Sequence, residues 1–163
     1  MIKTQIFYRL VLSLHLIGLV VMAGTTTVDY FTFRFFCKLT DQGESKAALG
    51  LLPIMSKYGS LVRAGAGIII LTGIALLLLS KDIWQQPWFK IKLALAICLF
   101  LNGIFAGKKQ GLTFRHLMNE NGNHVLPDIQ AIKANLQFFY LVQLFLFFAI
   151  ILISVVKIKQ TGR

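Results

Sequence analysis

Residues 138–156 read FFYLVQLFLFFAIILISVV. No charged side chain interrupts them, and the run is close to the roughly 20 residues an α-helix needs to cross hydrocarbon. A backbone surrounded by lipid must satisfy its own hydrogen bonds, so such a run reads as a helix. Barrel strands need only about ten residues and alternate apolar with polar, which this stretch does not. Three more apolar blocks lie upstream, at about residues 6–36, 58–79 and 88–106.

The rest of the composition agrees. Of 163 residues, 56% are hydrophobic and only 14% charged, and the mean hydropathy is +0.72. A water-soluble domain of this size could not hide so much apolar surface. The expected fold is therefore all-α: one domain spanning 1–163, a polytopic four-helix transmembrane bundle in up-down-up-down order. The helices are expected at about 6–36, 44–80, 87–119 and 127–158.

The connections are unequal. Between the second and third blocks lies a tight turn at 80–87, where Pro87 suits the first turn of a helix because its missing N–H is harmless there. Trp84 and Trp88 read as interfacial aromatics. The other two connections look helical: 44–56 is rich in Ala, Leu and Lys, and 108–119 carries Phe114, Leu117 and Met118 at helical spacing. Asn121, Gly122 and Asn123 form a turn signal, and Pro127-Asp128 a helix start. The first block is also longer than hydrocarbon requires. The helices are thus expected to protrude on one side, opposite both termini. The first block carries basic residues before its apolar run, as a secretion signal does, but continues past the usual length of one and reads as a retained helix.

The net charge of +11 does not indicate nucleic acid. A nucleic-acid binder gathers its basic residues on one face. Here Lys3, Arg9, Lys81, Lys108, Lys109, Lys157 and Lys159 sit at the edges of apolar blocks, as helix anchors at anionic headgroups do. The expected location is a bacterial-type inner (plasma) membrane, crossed several times, with the lipid bilayer as partner and homo-oligomerisation open. Basic counts on the two sides nearly balance; the density at the termini points to both being cytoplasmic. Cys37 and Cys98 are too few and too far apart for a disulfide framework.

Ionisable groups inside a span are costly and usually have a reason. His15 lies within the first block, Asp29 and Arg34 near its far end, Arg63 near the start of the second, and Lys90 and Lys92 at the start of the third. Antiparallel threading gathers these into two layers: His15 with Lys90 and Lys92, and Asp29 with Arg34 and Arg63, with Asn135 and Gln137 nearby. Asp29–Arg63 is the ion pair expected first, since each charge reduces the other's desolvation cost. Met22 falls seven residues beyond His15 on the same face, and an imidazole with a thioether can bind soft copper. A neutral imidazole can equally ligate haem, or bond a neighbouring helix. Gly59, Arg63 and Gly67 recur at four-residue steps, with Ala66 and Gly73 close by, a stripe expected to face the bundle. Thr25, Thr26 and Thr27 can bond back to their own helix, and Asn102 and Gln143 are mid-span amides able to bridge helices. Phosphate loops, nucleophile elbows, clustered metal spacings and dinucleotide fingerprints are all missing.

Leu14-His15-Leu16-Ile17-Gly18, the Thr72-Gly73 step followed by leucines, and Trp88-Phe89-Lys90-Ile91-Lys92-Leu93-Ala94-Leu95 together resemble the CopD/HemJ-like membrane proteins. That group holds copper-uptake proteins, HemJ-type protoporphyrinogen oxidases and uncharacterised four-helix members. The resemblance covers the first three helices. It implies haem b bound within the helices, with the characteristic histidine and Trp-x-x-x-Lys falling on His15, Trp88 and Lys92. Where HemJ-type proteins carry another histidine, this chain has Leu101-Asn102-Gly103. Three functions follow as expectations. One is a haem- or porphyrin-binding redox protein, with His15 as axial ligand and Lys90 and Lys92 meeting the porphyrin carboxylates. The others are a small-ion, copper-like transporter or channel using His15 and Met22 as metal ligands, and a non-catalytic membrane scaffold.

Overall fold

The computed structural model describes residues 2–80, 84–104 and 126–160. They form four helices: α1 (Ile2–Asp41), α2 (Ser45–Leu79), α3 (Pro87–Asn102) and α4 (Leu126–Gln160). There is no strand among the described residues. The expected continuation of the third helix to 119, the turn at 121–123 and residues 81–83 of the short connection lie outside them. Three helices, over Gln5–Asp41, Lys46–Leu79 and Lys133–Val155, are long and apolar enough to cross a membrane.

Each boundary has a local cause. The first helix does not stop at 36 but runs on to Asp41, since nothing breaks the pattern before Gly43. Gly43 takes φ +79, a conformation that glycine adopts without a Cβ penalty. Its N–H donates to the Thr40 carbonyl at 3.1 Å, and the Glu44 N–H donates to the Leu39 carbonyl at 3.0 Å. These two bonds close the last carbonyls of α1 and turn the chain directly into α2. Pro53 lies inside α2, where the Ser56 hydroxyl donates to its carbonyl at 2.7 Å. Pro87 occupies the first turn of α3 after an extended Gln86, as the sequence leads one to expect.

Packing joins α1 to α2, α3 to α4, and α1 to α4. Every one of these pairs runs antiparallel. His15 meets Thr72 and Gly18 meets Gly65; Asn102 bonds Gln143 while Leu99 packs with Phe147 and Ile150; Asp29 meets Tyr140 and Asp41 meets Lys133. Two cores result. One gathers Phe33, Phe36, Cys37, Ala48, Met55 and Leu136 at the Gly43 end. The other places Met22, Leu99, Phe147 and Ile150 among partly buried residues of α1, α2 and α3.

Outside these cores the surface is apolar. Leu71 and Leu78 are 71% and 73% exposed, Phe138 and Phe145 70% and 69%. Hydroxyls are turned inward to their own helices instead: Thr26, Thr27, Thr32, Thr40 and Ser154 each donate to the carbonyl four residues back at 2.7–2.9 Å. The backbone supplies what solvent would otherwise supply.

The tightest crossing is between α1 and α2. A Cβ at Gly65 would lie 3.0 Å from the Gly18 carbonyl oxygen and 3.0 Å from the Met22 nitrogen. The stripe expected to face the bundle divides: a Cβ at Gly59 or Gly67 would meet nothing within 4 Å and Arg63 is exposed, whereas the neighbouring Ala66 packs against the Met22 and Leu99 core and a Cβ at Gly73 would meet His15. The facing residues are those at Gly65, Ile68, Ile69 and Thr72, about a quarter-turn to a half-turn round the helix. Gly65→Ala should therefore lower the thermal unfolding midpoint by several degrees, because backbone atoms cannot move aside. Gly67→Ala should leave it unchanged or raise it, alanine being favoured over glycine in a helix interior by roughly 0.5–1 kcal/mol. Equal effects of the two substitutions would refute this orientation of α2.

Candidate functional site

The glycine crossing sets the distance between α1 and α2, and one turn from Gly18 it brings His15 onto Thr72. The contact is His15 Nδ1 to Thr72 Oγ1, 2.8 Å. Thr72 has a single hydroxyl proton, and its Oγ1 donates that proton to the carbonyl of Ile68, one turn back on its own helix. The proton between His15 and Thr72 therefore belongs to the imidazole, so Nδ1–H donates and Thr72 accepts. In the neutral ring this leaves the lone pair on Nε2. The tautomer is assigned from the network of bonds around it.

The ring lies beside Gly73 of α2 and near a basic side chain of α3. A Cβ at Gly73 would reach His15 Cε1 at 3.6 Å, an ordinary contact, so Gly73 borders the ring edge. Lys92 of α3 is near enough for its charge to act on the imidazole. Lys92 is half-buried and Lys90 exposed, two residues apart and so on different faces of α3. Trp88 is half-buried with its Nε1 shielded from solvent, and its ring stands edge-on to Phe89 at 6.1 Å. Of the residues read from the sequence as a porphyrin set, His15 and Lys92 thus share one neighbourhood.

Other expected pairings fall differently. Met22 is 5% exposed and packs against Leu99, Phe147 and Ile150, with its Cβ facing Gly65. It is two turns, about 10 Å, along α1 from His15, and it serves as core. Among the described residues no group of three or more His, Cys, Asp or Glu could hold a metal. Asp29 and Arg63 do not form the expected ion pair. The register that sets His15 opposite Thr72 brings Asp29 level with about residue 58, so Arg63 stands roughly 8 Å further along. Asp29 instead accepts the Tyr140 hydroxyl proton at 2.8 Å, beside Tyr30 and Phe33, whose rings lie 5.7 and 5.6 Å from that of Tyr140. The ion pair seen at this end joins Lys133 to Asp41 at 2.8 Å. Arg34, Asn135 and Gln137 are exposed.

Asn102 and Gln143 do meet. Asn102 Nδ2 donates to Gln143 Oε1 at 2.8 Å, and Gln143 is 2% exposed. Cys37 is buried, Cys98 is exposed and both thiols are free. His116 and His124 lie outside the described residues.

Thr72 is the residue whose part in the site the sequence reading did not assign. Valine at this position keeps the shape of the side chain and removes both the acceptor for Nδ1–H and the back-bond. Thr72→Val should destabilise the fold by about 0.6–1.7 kcal/mol, the range of a hydrogen bond between membrane helices, whereas Thr72→Ser should be nearly neutral. Nitrogen NMR of His15 should show a protonated Nδ1 and a bare Nε2 in the parent protein; the reverse tautomer would refute the assignment.

Compared with known proteins, the chain matches no family model, no curated protein and no solved structure.

Proposed function

We propose that the chain is a multi-pass integral membrane protein, four spans in up-down-up-down order in a bacterial-type plasma membrane, and that His15 holds a haem-type cofactor through Nε2 in a redox role. The membrane half of this reading is supported by where the apolar surface lies. In the apolar window of α2 only 11% is buried inside the protein, and 17% in those of α1 and α4. Such faces stay out of water only if lipid covers them. α1 has 40 residues, about 60 Å of helix, twice the hydrocarbon thickness. The aromatic core at the Gly43 end then stands beyond the hydrocarbon on one side.

One observation carries the cofactor half: the hydrogen bond from His15 Nδ1 to Thr72, which orients the ring and bares Nε2. Ligating histidines are held in this way, their second nitrogen donating to a neighbouring acceptor. In this reading His15 would be the protein ligand, and Lys92 would meet one porphyrin carboxylate as a point charge. Among the described residues no second histidine stands beside His15. When bound, such a group would supply the one-electron chemistry. The chain's own part is to fix the imidazole, keep Nε2 unprotonated and exclude water from α1 and α2 by the glycine crossing. Copper transport draws no support from Met22, which is packed into the core.

The protein should stay with the membrane fraction after an alkaline wash. Expressed with ample haem, it should purify with a Soret band that His15→Ala abolishes and Thr72→Val shifts or weakens. Colourless protein from haem-replete cells would overturn the cofactor reading while leaving the membrane reading intact.

A further inference from the structure

Arg63 is the charge on α2 that the His15 site leaves unused. Gly59, Ser60, Arg63, Gly67, Ile70 and Ile74 recur at steps of three and four and so share one face. The face is turned away from α1: a Cβ at Gly59 or Gly67 would meet nothing within 4 Å, Ser60 and Arg63 are exposed, and Ile70 and Ile74 are 46% and 53% exposed. Among the described residues Arg63 forms no ion pair. The stretch that follows it, 64–80, carries no charge and amounts to about 25 Å of helix. Arg63 therefore stands at the mouth of an apolar surface of bilayer dimensions.

A guanidinium in that position, facing acyl chains, is costly unless it reaches an anion. A phospholipid brings its phosphate to that depth, and guanidinium pairs with phosphate in a planar, bidentate way that an ammonium cannot match. The face is also ordered as a lipid is ordered. Its polar end holds Arg63 and the Ser60 hydroxyl, next comes the flat gap at Gly67, and then an apolar track at Ile70 and Ile74. We infer that this face of α2 binds an anionic phospholipid, its headgroup phosphate held by Arg63 and Ser60 and one acyl chain laid along Gly67, Ile70 and Ile74. The inference rests on the membrane reading and is independent of the cofactor.

The test uses the full chain in nanodiscs of phosphatidylcholine containing a small fraction of spin-labelled phosphatidylglycerol, with spin-labelled phosphatidylcholine as reference. The immobilised fraction gives the preference for the anionic lipid. Arg63→Gln should lower that preference about fivefold, because it removes the guanidinium that pairs with the phosphate. Lys57→Gln removes the same charge from an exposed position on a different face of α2 and should leave most of the preference. Gly67→Leu fills the gap from a Cβ that would meet nothing within 4 Å; it should lower the preference several-fold while the unfolding midpoint stays within a few degrees. Equal losses for Arg63→Gln and Lys57→Gln would show a general surface potential and overturn the site. So would an unchanged preference in Gly67→Leu, or displacement of the lipid by inorganic phosphate. A chain that stays in buffer and never enters the discs would instead overturn the membrane reading itself.

Discussion

The approach of Gly18 to Gly65 is the contact from which the rest of the arrangement follows. Without side chains at these two positions the backbones of α1 and α2 touch, and no water or lipid can enter between them. That closeness fixes the axial register of the hairpin, and the register decides which polar side chains find each other. His15 reaches Thr72 because it lies one turn from the crossing; Asp29, on the far side of it, is carried past Arg63 and meets Tyr140 of α4 instead. In hydrocarbon such pairings are not incidental, since a polar group that misses its partner has no solvent to fall back on.

The arrangement also explains why so few side chains are buried in a chain so apolar. Both cores are small, and most large aliphatic and aromatic residues point outward. In water this would be an unstable surface. In lipid it is the natural one, because helices there gain little by burying leucine against leucine and associate through small residues, close van der Waals contact and a few hydrogen bonds. Gly18–Gly65, His15–Thr72 and Asn102–Gln143 supply all three.

Much of this was legible in the sequence, and two of the misses share one cause. The helical class, the glutamine–asparagine bridge and the proline start of α3 follow from composition, from mid-span amides and from the missing N–H of Pro87. The glycine stripe and the Asp29–Arg63 pair did not come out as expected, since both depend on rotation and register, which hydrophobicity does not specify when every face of a helix is apolar. A signal for register was present all the same. Gly43 is the natural pivot of the first hairpin, and residues at nearly equal distances from it come level: His15 with Thr72, and Asp29 with about residue 58 rather than Arg63. The end of α1 was placed too early on separate grounds: the apolar run fades at Phe36, while the helix continues until glycine permits the turn.

α1 packs against α2 within the first hairpin and against α4 across to the other. Two of its polar contacts, His15–Thr72 and Asp29–Tyr140, are therefore mounted on one helix about 21 Å apart. A roll of α1 as a unit would therefore move the His15 imidazole and the Asp29 carboxylate together.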